Sequence, residues 1–215
     1  FLLGADGVII RGRPRGSWVS GQFEWHPLEA WLPGGWPELP VAEAQAELAR
    51  RWLRSFGPGT AADLRWWTGW TAGDAKRAVT AAGAVSVELE SGSGWVLPDD
   101  LEPEPEAEPA VALLPALDPT TMGWTGREWY LGPHAKVLFD RNGNAGPTVW
   151  SGGRVVGGWA QRSDGEIVVR FLDDAGREAA VQAAAEAARL SRWMGDARVA
   201  PRARARSPLE AELLR

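Results

Sequence analysis

From Asn142 to Trp159 the chain reads NGNAGPTVWSGGRVVGGW, with short β-branched runs separated by turn residues at close intervals. That alternation predicts tightly wound antiparallel sheet: Thr148-Val149-Trp150 is one strand, Gly152-Gly153 supplies the positive φ angles of a two-residue turn, and Arg154-Val155-Val156 returns beside it. Upstream the period changes. In VAEAQAELARRWLRSF, residues 41–56, the apolar positions Val41, Ala44, Leu48, Trp52 and Phe56 recur at three-to-four-residue spacing and predict a helix with that face inward. Gly57-Pro58 stops it. Thr60 with Asp63 three residues later, and Thr71 with Asp74, are capping signals that open two short helices closed by Gly69 and Gly83. Val85–Leu89 and Trp95-Val96-Leu97, joined by a Ser-Gly-Ser-Gly turn, then alternate as a hairpin. Three helices followed by a hairpin is the order of a winged helix-turn-helix, whose third helix enters a DNA major groove. A long alanine-rich helix, 175–193, is expected to pack on the sheet through Val181, Ala184, Ala188 and Leu190.

The breaks divide the chain. DDLEPEPEAEP, residues 99–109, interposes prolines that remove amide donors and bias their predecessors toward extended backbone, so it reads as a linker. LPGGWPELP, residues 32–40, is a second break. The expected organisation is a leading segment 1–38, a helical unit 39–98, the acidic linker 99–109, and a β unit 110–215 ending in a helix and a basic tail. The expected fold class is therefore α+β: a winged helix-turn-helix unit plus a small antiparallel β-barrel with a C-terminal helix.

Composition narrows the chemistry. There is no cysteine and only two histidines, His26 and His134, which excludes disulfides, thiolate metal sites and a histidine-rich metal cluster. No apolar run approaches the roughly 18 residues a membrane span requires, and Gly and Asp interrupt the opening where a signal peptide would be continuous. A cytoplasmic protein without a membrane partner or cofactor is the expectation. Because it begins at Phe1 within an apparent strand, the chain reads as the C-terminal part of a longer protein. The formal charge of −5 is concentrated: without Asp99, Asp100, Glu102, Glu104, Glu106 and Glu108 the remainder carries +1. Net charge thus does not exclude a nucleic-acid partner, because steering depends on the local field. Arg11, Arg13 and Arg15, and Arg198, Arg202, Arg204 and Arg206, form two basic stretches suited to phosphates or simply to solvent. The fourteen tryptophans suit a core, base stacking or a partner surface.

Candidate DNA-contact residues follow from position. Lys76 and Arg77 lie on the third predicted helix and Arg65 near the turn before it; the alanines around them offer little hydrogen-bonding reach, so phosphate contact or protein packing is expected rather than a base code. Trp124 and Arg127 flank Gly126, pairing a stacking face with a phosphate contact. His134 and Lys136 open a short helix after Gly132-Pro133. Arg141, Asn142 and Asn144 lie at a glycine-rich turn, and Arg154 either braces a strand or faces DNA. Asp118 before Pro119 is either an Asx turn or a functional group at a strand end. No nucleophile elbow, Walker loop or dinucleotide fingerprint is present.

RRWLRSFGPGTAADLRWWTGW (50–70), LLPALDPTTMGW (113–124), FDRNGNAGPTVWSGGRVVGGWAQ (139–161) and PRARARSPLEAELL (201–214) together resemble, in order, a bacterial family of winged-helix DNA-binding proteins that includes glycosylases unhooking interstrand crosslinks. The resemblance implies tandem winged-helix units and a β-barrel around a DNA channel. It makes residues 1 to about 32 the end of an earlier winged-helix unit, with Val8-Ile9-Ile10 and Ser17-Trp18-Val19 as strands, and double-stranded DNA, damaged or not, the partner. The family's catalytic motif, Gln, an apolar residue, then Gln or Asp, lies near the start of the full-length protein. Gln22-Phe23-Glu24 looks similar but falls in the wrong part of the architecture, so catalysis is unassigned. A non-catalytic DNA-binding or regulatory protein and a protein-binding scaffold are the alternatives, and oligomeric state is unknown.

Overall fold

The computed structural model describes residues 2–16, 20–90, 92–102, 105, 108, 110–199 and 205–215. They fall into two compact units, 1–41 and 42–215. In the first, helix α1 (Leu2–Ala5) precedes an antiparallel pair, β1 (Ile9–Pro14) and β2 (Phe23–Pro27), and helix α2 (Leu28–Trp31) follows. Val8-Ile9-Ile10 is expected as a strand, and β1 begins at Ile9. The expected strand Ser17-Trp18-Val19 lies outside the described residues, as do Arg202 and Arg204 of the basic tail.

Most of the second unit's helical segment follows its punctuation. Helix α3 spans Val41–Phe56. α4 (Ala61–Thr68) is opened by Thr60, which exchanges hydrogen bonds with Asp63 in a full capping box, and Gly69 ends it in the left-handed conformation at φ 74°. The Thr71 hydroxyl accepts from the Asp74 N–H to open α5 (Ala72–Ala81). The inward face of α3 differs in part from expectation. Trp52 is buried and Phe56 packs against the core as expected, but Val41 is 73% exposed and Leu48 also faces solvent, and Ala46, Ala49 and Leu53 are buried in their place. The small alanines let α3 join the close-packed core of Leu64, Ala75, Ala78 and Val79. β3 (Val85–Leu89) and β4 (Gly92–Val96) then pair with Leu89 opposite Gly92, so Gly92-Ser93-Gly94 belong to the strand and not to the turn. A Cβ on Gly94 would sit 2.5 Å from the Leu89 side chain, so Leu89 packs over the glycine.

The remaining strands form one antiparallel sheet in the order β5 (Val111–Leu114), β6 (Thr148–Ser151), β7 (Arg154–Gln161), β8 (Ile167–Phe171). The predicted hairpin is present, with Gly152 and Gly153 at φ 55° and 74° and Ser151 paired to Arg154. The expected barrel is not: among the described residues no sheet closes. Four strands of at most eight residues are too few to wrap a filled interior. Helices cover the two faces of the open sheet instead: α6 (Glu128–Leu131) and α7 (Ala135–Leu138) share a core with Val155 and Ala160 of β7, and α8 (Gly176–Met194), which touches both β5 and β8, shares another with Val149, Val156, Trp159 and Ile167. α8 buries Ala179, Ala183, Ala187 and Met194 and leaves Val181 62% exposed, another rotation from the expected face. A last helix, α9 (Pro208–Leu213), inserts Leu209 and Leu213 beside Leu138 and Tyr130. Among the described residues no helix is long and apolar enough to cross a membrane.

Candidate nucleic-acid interface

Within the second unit the helical segment and the sheet segment are joined through the loop that precedes α6. The joint starts at Asp63. One of its oxygens accepts from the Thr60 N–H (3.0 Å) and hydroxyl (2.5 Å), completing the cap of α4. The other accepts from the backbone N–H groups of Thr125 (2.8 Å) and Gly126 (3.3 Å), some sixty residues away. Beside it the Trp124 indole N–H donates to the Phe56 carbonyl at 3.0 Å, and the two rings meet edge to face with centroids 5.3 Å apart. Trp124 also contacts Trp129 and Tyr130, so its ring is half-buried within an aromatic row. Tyr130 donates its hydroxyl to the Thr121 carbonyl, and burial pushes its phenol up to about 12, keeping it neutral.

This loop fixes Arg127. Its Nε–H donates to the Trp124 carbonyl at 2.9 Å, and its guanidinium carbon lies 4.7 Å from the Trp66 ring centroid and 4.8 Å from that of Phe139. A pocket of about 330 Å³ opens beside it, lined by Thr125, Arg127, Leu131, Gly132, Ala135 and Phe139 among others. Gly143, at the tip of the 141–144 turn, also reaches this pocket. That turn is organised by buried Asp140, which accepts from the backbone N–H groups of Asn142 (2.8 Å) and Asn144 (2.9 Å) and from the Asn144 side-chain amide (2.9 Å). The Asn144 amide and these N–H groups hold the Asp140 carboxyl below the usual carboxylate range despite its burial.

The candidate residues therefore separate. Arg127 lines the pocket, Lys136 follows Ala135 on its wall, and Arg141 and Asn142 precede Gly143; the latter three are exposed. Asn144 is engaged by Asp140. His134 is half-buried with Nε2 2.8 Å from an Asp173 carboxylate oxygen, and Asp118 accepts from the Thr120 N–H, capping the 3₁₀ turn Pro119–Met122. Arg154 is exposed at the start of β7. Lys76 and Arg77 line a different groove of about 610 Å³ between α3 and α5, where Arg77 is ion-paired to Asp74; Arg65 is exposed on α4 next to Trp66. Among the described residues no group of three His, Asp or Glu is placed to hold a metal ion.

Reading from sequence missed Asp63, Trp66 and Phe139. The Thr60-x-x-Asp63 pattern marks a cap, but nothing local signals that the second carboxylate oxygen reaches residues 125 and 126. Likewise the aromatic pair around Arg127 comes from α4 and from the end of α7, which only tertiary folding brings together.

A family model described as DNA glycosylase AlkZ-like matches residues 1–193. Among solved structures the chain is similar to the Streptomyces sahachiroi DNA glycosylase AlkZ, with 24% identity and a TM-score of 0.73 over 90% of this chain and 53% of that one. The chain thus spans about half the length of the structure it matches. No curated protein sequence matches it.

Proposed function

The chain belongs to the AlkZ-like DNA glycosylase family, and on that premise we propose that it is the DNA-holding, C-terminal portion of a repair glycosylase acting on alkylated or crosslinked duplex DNA. The family match across residues 1–193 carries this reading. In it, α3, α4, α5 and the β3–β4 hairpin act as a winged helix-turn-helix that lays Lys76 and Arg77 of α5 against the duplex. Arg65, Arg127, Lys136, Arg141, Asn142 and Arg154 supply further contacts, chiefly to phosphates. Base release is assigned to a part of the whole protein outside this chain.

Asp63, Asp118 and Asp140 are each engaged by backbone N–H groups and serve local structure. The second reading is a DNA-binding protein of this family without catalysis. Fluorescence anisotropy with a labelled duplex, with and without an interstrand crosslink, at two salt concentrations tests the proposal. Binding that weakens steeply with salt is the expected result, and no binding at low salt overturns it.

A further inference from the structure

Many arginines of this chain are neutralised by a carboxylate: Arg54 by Asp99, Arg77 by Asp74, Arg162 by Glu166, Arg170 by Glu212 and Arg189 by Glu186. Arg127 is different. It is half-buried, yet among the described residues no carboxylate lies within ion-pairing distance of it, not even Glu128 on the same pocket wall. Removing a cation from water without a counter-ion is costly, and the two ring faces of Trp66 and Phe139 offset only part of that cost. What they add is geometry. With Nε–H tied to the Trp124 carbonyl and the guanidinium held against two rings, both Nη groups are left over, in a fixed orientation, at a pocket bordered by Gly132 and Gly143.

We infer that this pocket is a preformed seat for one backbone phosphodiester of a bound DNA strand, held by the Nη fork of Arg127. The inference rests on the DNA-holding reading above. A planar fork binds two oxygens of one phosphate at once, which a lysine ammonium cannot do, and a fork already ordered by stacking loses little side-chain freedom on binding. Lys136 and Arg141, exposed next to the pocket-lining Ala135 and on the Gly143 turn, add positive potential that draws the strand in. The seat spans both segments of the second unit, since Trp66 belongs to α4 and Phe139 ends α7. A phosphate held there ties DNA to the Asp63 joint.

Two measurements test it on the whole chain. Duplex affinity is followed by anisotropy across a salt series for the wild type, Arg127→Gln and Arg127→Lys, with melting curves confirming that each variant is folded. The expected outcome for R127Q is about a tenfold loss, with the slope of log K against log salt reduced by about 0.9, the loss of one phosphate. R127K is expected to keep the slope and lose about threefold, because charge remains while the fork does not. In parallel, the Arg127 Nε–H resonance is followed by NMR during titration with inorganic phosphate, and a saturable shift is expected in the wild type only. Unchanged slope and affinity in R127Q with no phosphate-induced shift overturn the seat while leaving DNA binding intact. A phosphate-induced shift in a chain that does not bind duplex sustains the anion seat and overturns its assignment to DNA. Neither signal overturns both.

Discussion

Helices α4 and α5 begin eleven residues apart with the same signal, Thr60-x-x-Asp63 and Thr71-x-x-Asp74, and both threonines cap as that signal requires. Their carboxylates then part company. Asp63 is buried and spends its second oxygen on the Thr125 and Gly126 N–H groups, whereas Asp74 spends its own on Arg77, one turn along the same helix. The first pair is a joint between two segments of the chain, and the second is a surface cap. The cations nearby follow suit, with Arg127 clamped between rings beside the joint and Arg77 exposed and already neutralised. Identical local chemistry acquires a different role according to what the rest of the chain packs against it.

The largest effect that would break this comparison is at the joint. Asp63→Ala leaves the N–H groups of Thr60, Thr125 and Gly126 without their acceptor, and is expected to lower unfolding free energy by about 3 kcal/mol in urea titration. Asp74→Ala, which loses a solvent-exposed cap, is expected to cost clearly less; equal losses would mean that the joint contributes nothing beyond capping. Next in size is the contrast between the arginines. Arg127→Ala is expected to cost about 2 kcal/mol, through two ring contacts and the bond to Trp124, while Arg77→Ala stays within about 0.5 kcal/mol.

The acid limb sharpens the surface half of the comparison. The Thr71 hydroxyl, supported by Arg77, holds the Asp74 carboxyl below its ordinary value of 3.8 despite partial desolvation. A carboxyl depressed in the folded state stabilises fully above its unfolded value and loses that contribution as pH falls through the folded one. The wild type is therefore expected to lose stability below about pH 4 more steeply than Asp74→Asn, which lacks that titration. Thermal melts between about pH 2.5 and 7 would show parallel curves if the cap carried no such linkage. The smallest effect concerns the α5 surface itself: Lys76→Gln is expected to weaken duplex binding about threefold at low salt, a loss that disappears as salt screens it. A loss that persists at high salt would mean Lys76 does more than neutralise a phosphate.

Much of the backbone is legible in the sequence. The limits of α3, the two threonine caps and the Gly152-Gly153 hairpin depend on contacts within a few residues, where propensity and turn chemistry act, so the pattern at 41–56, Thr60, Thr71 and 152–153 matches the elements that form. Side-chain burial is less legible. In α3 and α8 the expected stripes have the right period but are rotated from the buried faces: Trp52 and Leu190 reach the core as expected, while Ala46 and Ala49 in α3 and Ala179, Ala183 and Ala187 in α8 lie inside and Val41 and Val181 stay in water, because close approach of helices and sheet favours small side chains. Sheet closure failed for a related reason: alternation reveals strands but not how many neighbours each will find, and here the helices cover what further strands would have.

Legible in the amino-acid sequence are the order and ends of most elements, the absence of thiol and histidine-cluster chemistry, and a relation to DNA glycosylases that the family match over residues 1–193 sustains. Tertiary structure alone decided that Asp63 would hold residues 125 and 126, that Trp66 and Phe139 would enclose Arg127, and that the sheet would remain open. Local order is encoded within one or two helical turns. A site made from residues some sixty or more positions apart exists only after the core has selected which faces meet.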